Sequence, residues 1–94
     1  MISEKEIEKD LAQRTKLAGG LAVKFVDPAR RGAPDRILLF SCGRVVFVEL
    51  KRADGKISAL QNIYHAQLRE LGYDVYVSRS IADNEMIIRE VLES

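Results

Sequence analysis

The chain has 94 residues, of which 47% are hydrophobic and 31% charged, and its formal net charge is +1 at pH 7. That length supports one modest core, and so small a net charge does not by itself indicate a nucleic-acid-binding protein. No apolar run approaches the roughly 20 residues of a membrane-spanning helix. The first residues lack the pattern of a signal peptide, and one cysteine excludes an internal disulfide. We therefore expect one cytoplasmic domain over residues 1–94.

Seven elements are predicted in chain order. They are a helix from the Ser3 cap to Gly19-Gly20, strands over residues 21–26, 36–40 and 45–48, a helix from Ser58 to Gly72, a strand over residues 73–77 and a helix after residues 80–83. The first two helices open with a capping box, a serine followed three residues later by Glu or Gln. The helix between the third and fourth strands implies a right-handed parallel crossover. The predicted fold is α/β, with the order α-β-β-β-α-β-α and a mixed central sheet flanked by helices.

The periodicity of the elements predicts which side chains form the core. The core stripes are Ile7, Leu11 and Ala18 in the first helix, Leu60, Tyr64, Leu68 and Leu71 in the second, and Ile87, Ile88, Val91 and Leu92 in the last. The phenylalanines at 25, 40 and 47 lie in predicted strands and are expected in the core. Residues 45–50 are apolar on both faces, which is typical of a central strand covered on both sides.

Ionisable residues meet at the open end of the predicted hairpin. If Phe40 pairs with Arg44 across a three-residue turn, Asp35 lies opposite Glu49. Because side chains alternate along a strand, Glu49 and Lys51 share the face of Asp35. Two carboxylates and a lysine are the groups needed to hold a divalent metal and activate water. A solvated strand edge is the simpler interpretation, but charges at the end of a central strand are partly desolvated, which is costly unless they are paired or bind a cation.

Basic residues lie on both sides of this candidate site in the sequence. The candidates for contact with nucleic acid are Arg30, Arg31, Arg36, Arg52 and Lys56. A local basic stripe around an acidic pocket suits a phosphodiester backbone. For any one of these side chains, a solvated loop surface is an equally good interpretation.

These motifs resemble those of the PD-(D/E)xK nucleases. Pro34-Asp35 begins one strand, Glu49-Leu50-Lys51 lies on the next, and a glutamate stands near the start of the first helix. The run Arg31-Gly32-Ala33-Pro34-Asp35-Arg36 and the helix start Ser58-x-x-Gln61 are similar to the VRR-NUC branch, the virus-type replication-repair nucleases. The resemblance covers essentially the whole chain and is to the stand-alone members of phages and bacteria. It implies a restriction-endonuclease-like core.

The resemblance also implies the chemistry, that of an endodeoxyribonuclease dependent on Mg²⁺ or Mn²⁺. Asp35, Glu49 and the Leu50 carbonyl would hold the metal, since Mg²⁺ prefers oxygen ligands and keeps several waters. Lys51 would orient or help deprotonate the attacking water and offset charge on the phosphate. Glu4 is the expected acidic residue of the first helix, with Glu8, one turn on, as the alternative.

Two residues of the second helix need separate interpretations. Gln61 would contact the catalytic site, but it also occupies the N3 position of a capping box, and we expect these two roles to compete for one side chain. His65 lies four residues further on, on the same helical face. A lone helical histidine is more often structural, so His65 has no place in the expected mechanism.

Branched DNA is the expected substrate. Stand-alone members resemble archaeal Holliday-junction resolvases in size and fold, and a four-way junction has two-fold symmetry. A homodimer would place one active site on each of two opposing strands. The alternatives are a flap or single-strand nuclease of the same superfamily, a binding module without catalysis, and a structural subunit whose ionic cluster only stabilises the hairpin.

Overall fold

A four-stranded mixed sheet with helices on both faces forms the protein, as a computed structural model describes it for all 94 residues. In chain order the elements are α1 (Glu4–Leu17), β1 (Leu21–Lys24), β2 (Arg36–Leu39), β3 (Val45–Leu50), α2 (Ala59–Glu70), β4 (Asp74–Ser78) and α3 (Ile81–Glu93). The predicted order α-β-β-β-α-β-α is confirmed. None of the helices is long and apolar enough to span a membrane.

Strand β3 is the centre of the sheet. The strand order is β1-β2-β3-β4, with β1, β2 and β3 antiparallel and β4 parallel to β3. Five of its six residues are buried, which confirms the central strand predicted from its apolar residues on both faces. Parallel pairing with β4 requires the crossover that α2 supplies.

The turn between β2 and β3 sets the register of the hairpin. Leu39 pairs with Val45, and the Phe40 N–H donates to the Arg44 carbonyl at 2.9 Å, as predicted. Gly43 has a φ of 72°, in the left-handed region that such a turn requires. A slip of one residue would turn every side chain of a strand to the other face. The short turn therefore decides which carboxylates meet at the far end of the hairpin.

The two faces of the sheet have different cores. The face under α1 and α3 holds the aliphatic cluster of Ile7, Leu11, Leu38, Val46, Val48, Leu50, Ile87, Ile88 and Val91. Burying one such side chain stabilises the fold by about 1.5–3 kcal/mol. The other face carries an aromatic row, in which Phe47 lies between Phe25 (5.7 Å between ring centroids) and Tyr73 (5.5 Å), and Phe25 also contacts Tyr64 (6.1 Å).

The predicted core stripe of α2 is confirmed only in part. Tyr64 is buried as predicted and Leu68 is half-buried, but Leu60 and Leu71 are 50% and 75% exposed. His65, which was not part of the stripe, is buried. The helix is rotated because its inward face makes polar contacts with the buried end of β3, which hydrophobic periodicity does not register. The core stripes predicted for α1 and α3 are confirmed, with one exception. Leu92 of α3 is 59% exposed, because the residue next to the buried Val91 points to another face of the helix.

Two of the three phenylalanines expected in the core are only half-buried. Phe47 is buried in β3, but Phe25 follows the end of β1 and Phe40 follows the end of β2. Strand β1 is shorter than predicted, so Phe25 lies where the sheet is no longer covered on both sides.

Gly32 packs against the first turn of α2. Its φ is 96°, and a Cβ placed on it would lie 2.4 Å from the Leu60 carbonyl oxygen and 2.9 Å from the Gln61 nitrogen. Only glycine allows this approach. The loop that leads into Asp35 is therefore held against the helix start that carries Gln61.

Gly32→Ala is expected to destabilise the protein by about 2–4 kcal/mol, because the new methyl group meets backbone atoms and the left-handed φ is strained. Gly19→Ala is the matched control, since Gly19 has a φ of 84° but nothing within 4 Å of the added Cβ. Urea unfolding of both variants separates the contact from the strain. Equal losses of unfolding free energy in the two variants would contradict close packing at Gly32.

Candidate active site

A cavity opens where β2 begins and β3 ends, beneath the start of α1. Its volume is about 280 Å³, and it is lined by Glu4, Lys5, Glu8, Asp35 and Leu50. The carboxyl end of β3 thus meets the amino end of α1 in a concave and strongly charged region.

Asp35 closes the hairpin at this end. Its Oδ2 accepts the Leu50 N–H at 2.7 Å. The pairing of Arg36 with Val48 places Asp35 one step beyond β2, opposite Glu49, as the register predicted. The carboxylate is half-buried and is fixed by the backbone of the strand that carries Glu49.

Glu49 is buried, with 2% of its surface exposed, and α2 contacts both of its carboxylate oxygens. The His65 Nε2 lies 3.2 Å from Oε1, and the Gln61 Nε2 donates to Oε2 at 3.3 Å. His65 is also 2% exposed. This histidine was excluded from the mechanism expected from the sequence, although its spacing of four residues from Gln61 was the available signal.

Gln61 serves the helix cap and Glu49 at the same time. Its Oε1 accepts the Ser58 N–H at 2.9 Å, while its Nε2 donates to Glu49 at 3.3 Å. The expected competition between the two roles was wrong, because a side-chain amide has an acceptor at one end and donors at the other.

The pKa of Glu49 reflects both its burial and the negative charges around it. Burial raises the pKa of Glu49 to about 9, and a hydrogen bond to Asp35 and the charges of Asp35 and Glu4 add to the rise, while Lys51 opposes it. Burial, with the charge of Arg69, lowers the pKa of His65. At neutral pH the contact between Glu49 and His65 is therefore a hydrogen bond between neutral groups rather than an ion pair.

These groups suit a hard divalent cation. Asp35 and Glu49 supply carboxylate oxygens, and Asp35 and Leu50 line the cavity. A carboxyl group that keeps its proton because it is buried beside other carboxylates would release that proton when a cation binds. The chain has no cluster of three His, Cys, Asp or Glu side chains that forms a complete metal site. A cation here would need the backbone and water as further ligands, which is how Mg²⁺ is commonly held.

The two glutamates of α1 have different surroundings. The Glu8 Oε2 pairs with the Arg36 Nε at 2.9 Å. The charge of Glu4 adds to the rise in the pKa of Glu49, and its Oε1 accepts the Arg52 N–H at 3.4 Å. Both glutamates line the cavity, but only Glu8 is engaged in an ion pair.

Arg36 differs from the other basic residues singled out in the sequence. Its Nε is paired with Glu8, and its Nη1 donates to the Ala22 carbonyl at 3.0 Å. Its guanidinium therefore ties α1 to the sheet, and only 15% of its side chain is exposed. Arg31 and Lys56 are exposed and make no ion pair within the chain.

Arg30 lies on the exposed side of α2. Its guanidinium carbon is 4.6 Å from the centre of the Tyr64 ring, and its Nη2 donates to the Gln67 Oε1 at 2.6 Å. The Tyr64 hydroxyl in turn donates to the Asp27 Oδ2 at 2.8 Å. These contacts hold the loop over residues 27–34 against α2.

Arg79 is a residue near the site that the sequence did not single out. Its Nη1 donates to the carbonyls of Arg52, at 3.0 Å, and Gly55. The loop between β3 and α2, which follows Lys51, is thereby anchored to the end of β4. Arg52 is exposed on this loop, with its Nε 3.4 Å from Asp54. No local pattern marks Arg79, because its partners are backbone carbonyls distant in sequence.

Comparison with known proteins agrees with this architecture. No family model matches the chain. The protein described as "Putative nuclease p44" from Acyrthosiphon pisum secondary endosymbiont phage 1 is 43% identical over 77 residues, which cover 82% of this chain and 83% of the phage protein. A solved structure described as a VRR_NUC domain superposes with a TM-score of 0.86 at 28% identity, over 94% of this chain and 97% of the other.

The fold and these relatives define a nuclease of the PD-(D/E)xK class. Within that class, the chain belongs to the VRR-NUC family. The resemblance seen in the sequence is thereby confirmed.

Glu49→Gln is expected to remove a pH dependence of stability in the metal-free protein. The pKa of Glu49 is raised in the folded state. Its contribution to the free energy of unfolding is therefore complete below about pH 4.5 and is lost as the pH rises towards 9. The variant should exceed wild type in unfolding free energy by about 1 kcal/mol or more at pH 8 and by much less at pH 5.

Urea unfolding in EDTA at the two pH values measures this difference. Glu93→Gln, at an exposed position of α3, is the control for the loss of one carboxylate. Parallel pH profiles for wild type and Glu49→Gln would contradict the raised pKa.

Proposed function

We propose that this nuclease is a metal-dependent, structure-specific endodeoxyribonuclease whose site is formed by Asp35, Glu49 and Lys51. One observation carries the proposal. The carboxylates of Asp35 and Glu49 meet at the end of a buried strand, beside a charged cavity, and burial together with the neighbouring Asp35 raises the pKa of Glu49. Such a pair is suited to exchange a proton for a divalent cation.

Asp35, Glu49 and the Leu50 carbonyl would hold Mg²⁺ or Mn²⁺. When bound, the ion supplies a Lewis acid that activates water and neutralises charge on the phosphate. Lys51 follows on the same face as Glu49, and its positive charge already acts on that carboxylate. It is assigned to orient the attacking water and to stabilise negative charge developing on the phosphate. Glu4 lies across the cavity, where it can accept a hydrogen bond from that water.

Two basic loops support binding to the phosphate backbone. The loop before Asp35 carries Arg30 and Arg31, and the loop after Lys51 carries Arg52 and Lys56. All four of these basic side chains are exposed. Contacts to phosphates place a protein on DNA without reading its sequence. Recognition of DNA shape rather than of bases is therefore the proposed mode, with a four-way junction as the substrate.

An uncovered apolar surface supports a homodimer. Leu21, Val23 and Leu39 share one face of the β1–β2 pair, and Leu21 and Val23 are 65% and 42% exposed. Helix α2 lies over β4 and leaves this half of the face open. Strand β1 is also an edge strand. Contiguous apolar side chains on an open edge are typical of an interface. Two-fold pairing would provide the two active sites that cutting of a junction requires.

Lys51→Ala is expected to lower the cleavage rate of a labelled four-way junction by about 100-fold or more, because a charge-stabilising group is lost. The assay uses Mg²⁺, Mn²⁺ or EDTA and includes 5′ flap, single-stranded and duplex DNA. Lys16→Ala, at an exposed position of α1, is the control and should cut as wild type does.

Symmetric nicking of the junction by wild type in the presence of metal is the supporting result. Preferred cutting of flaps would retain the metal-dependent nuclease and overturn the junction as its substrate. Cleavage that continues in EDTA would contradict the role of the metal. DNA binding without any cleavage would favour the catalytically silent module instead.

Val23→Lys is expected to convert a dimer to a monomer, because a charge is placed in the apolar surface at an edge strand, where lysine is well tolerated in a monomer. Sedimentation equilibrium should give twice the chain mass of 10.6 kDa for wild type and the single mass for the variant. Leu17→Lys, at a residue of α1 that is 83% exposed, is the control. A wild type that is monomeric at all concentrations would overturn the dimer.

A further inference from the structure

His65 is buried against one partner. It lies on the sheet-facing side of α2, its exposed fraction is 2%, and its one side-chain hydrogen bond is with Glu49 at 3.2 Å. An apolar side chain at this position would bury without cost, whereas a buried imidazole requires a hydrogen bond. The presence of histidine here is explained by Glu49 rather than by packing.

Gln61 and His65 act on Glu49 as a pair. They are four residues apart, so their side chains lie on the same face of α2, one turn apart. Each contacts a different carboxylate oxygen, Gln61 at Oε2 and His65 at Oε1. The terminal torsion of a glutamate is broad and has no strong intrinsic preference. Two contacts of fixed spacing are what stops that rotation.

Each carboxylate oxygen has two lone pairs. The contacts from α2 occupy one on each oxygen, and the remaining lone pairs are left for Asp35, which shares a hydrogen bond with Glu49, or for a ligand. When Glu49 is ionised, the imidazole can hold it only by donating its Nε2–H, because a ring nitrogen without a proton would itself be an acceptor.

We propose that His65 is a positioning residue of the active site, which donates Nε2–H to the Glu49 Oε1 and fixes the rotation of this carboxylate for binding of a divalent cation. The inference rests on the proposed metal-dependent function and deepens it. Partners that hold the ligands of a metal commonly contribute 10–100-fold to its affinity. His65 does not touch the reacting atoms and acts through Glu49.

Two substitutions separate positioning from packing. His65→Gln keeps an N–H donor near the position of Nε2, whereas His65→Leu fills similar space without a donor. Ile87→Val, in the core of α3, is the control for a modest loss of stability away from the site. The readouts are Mn²⁺ affinity by electron paramagnetic resonance without DNA, kcat and KM for junction cleavage, and urea unfolding in EDTA.

His65→Leu is expected to weaken Mn²⁺ binding tenfold or more and to lower kcat, with KM for DNA within threefold of wild type. His65→Gln should restore Mn²⁺ affinity to within about threefold of wild type, and Ile87→Val should bind Mn²⁺ as wild type does. If His65→Leu binds Mn²⁺ as tightly as wild type, or if both His65 variants lose affinity equally, the positioning role is overturned while the proposed nuclease stands.

Wild-type protein that binds no Mn²⁺ would overturn the proposed function and this inference together. Should His65→Leu not fold, the ¹⁵N spectrum of the wild-type imidazole decides. Addition of Mg²⁺ is expected to fix the Nε2–H tautomer, and ring nitrogen shifts that do not respond to Mg²⁺ would overturn the inference.

Discussion

The buried carboxylate of Glu49 is the constraint around which this protein is organised. A glutamate at the end of a central strand, 2% exposed, must be protonated, hydrogen-bonded or paired with a cation. In the metal-free protein this carboxyl group makes hydrogen bonds with Asp35 from the neighbouring strand and with Gln61 and His65 from α2. In the proposed function, a divalent cation would offset the cost of ionising this buried carboxyl group.

A turn, a helix cap and a glycine contact bring Asp35, Glu49 and Gln61 together. The short turn over residues 41–43 sets a register in which Asp35 meets Glu49. The capping box of α2 fixes the Gln61 amide, so that one end satisfies the helix start and the other reaches the carboxylate. Gly32 lets the loop before Asp35 lie directly on that helix start. The geometry of the candidate site therefore depends on backbone turns and a helix cap as well as on its ionisable side chains.

Much of this was predictable, because it depends on short-range patterns. The order of the elements, the central position of β3 and the pairing of the hairpin follow from hydrophobic runs, caps and a glycine turn. The inward face of α2 was not predictable in the same way. Its leucines suggest one stripe, but the helix turns Gln61 and His65 inward to reach Glu49, leaving Leu60 exposed. Hydrophobic periodicity carries no information about polar contacts with a distant strand.

Features that the sequence determines differ in physical origin from those that only the tertiary structure decides. The sequence by itself determined the strands and their register, the membership of Asp35, Glu49 and Lys51 in one cluster, and the family to which their motifs belong. Only the tertiary structure decided that Arg36 is paired with Glu8, that Gln61 serves the helix cap and Glu49 together, and that His65 contacts Glu49. Strand pairing follows from alternation along neighbouring segments, whereas these contacts depend on how each helix is rotated against the sheet, which is set by the packing of the whole chain.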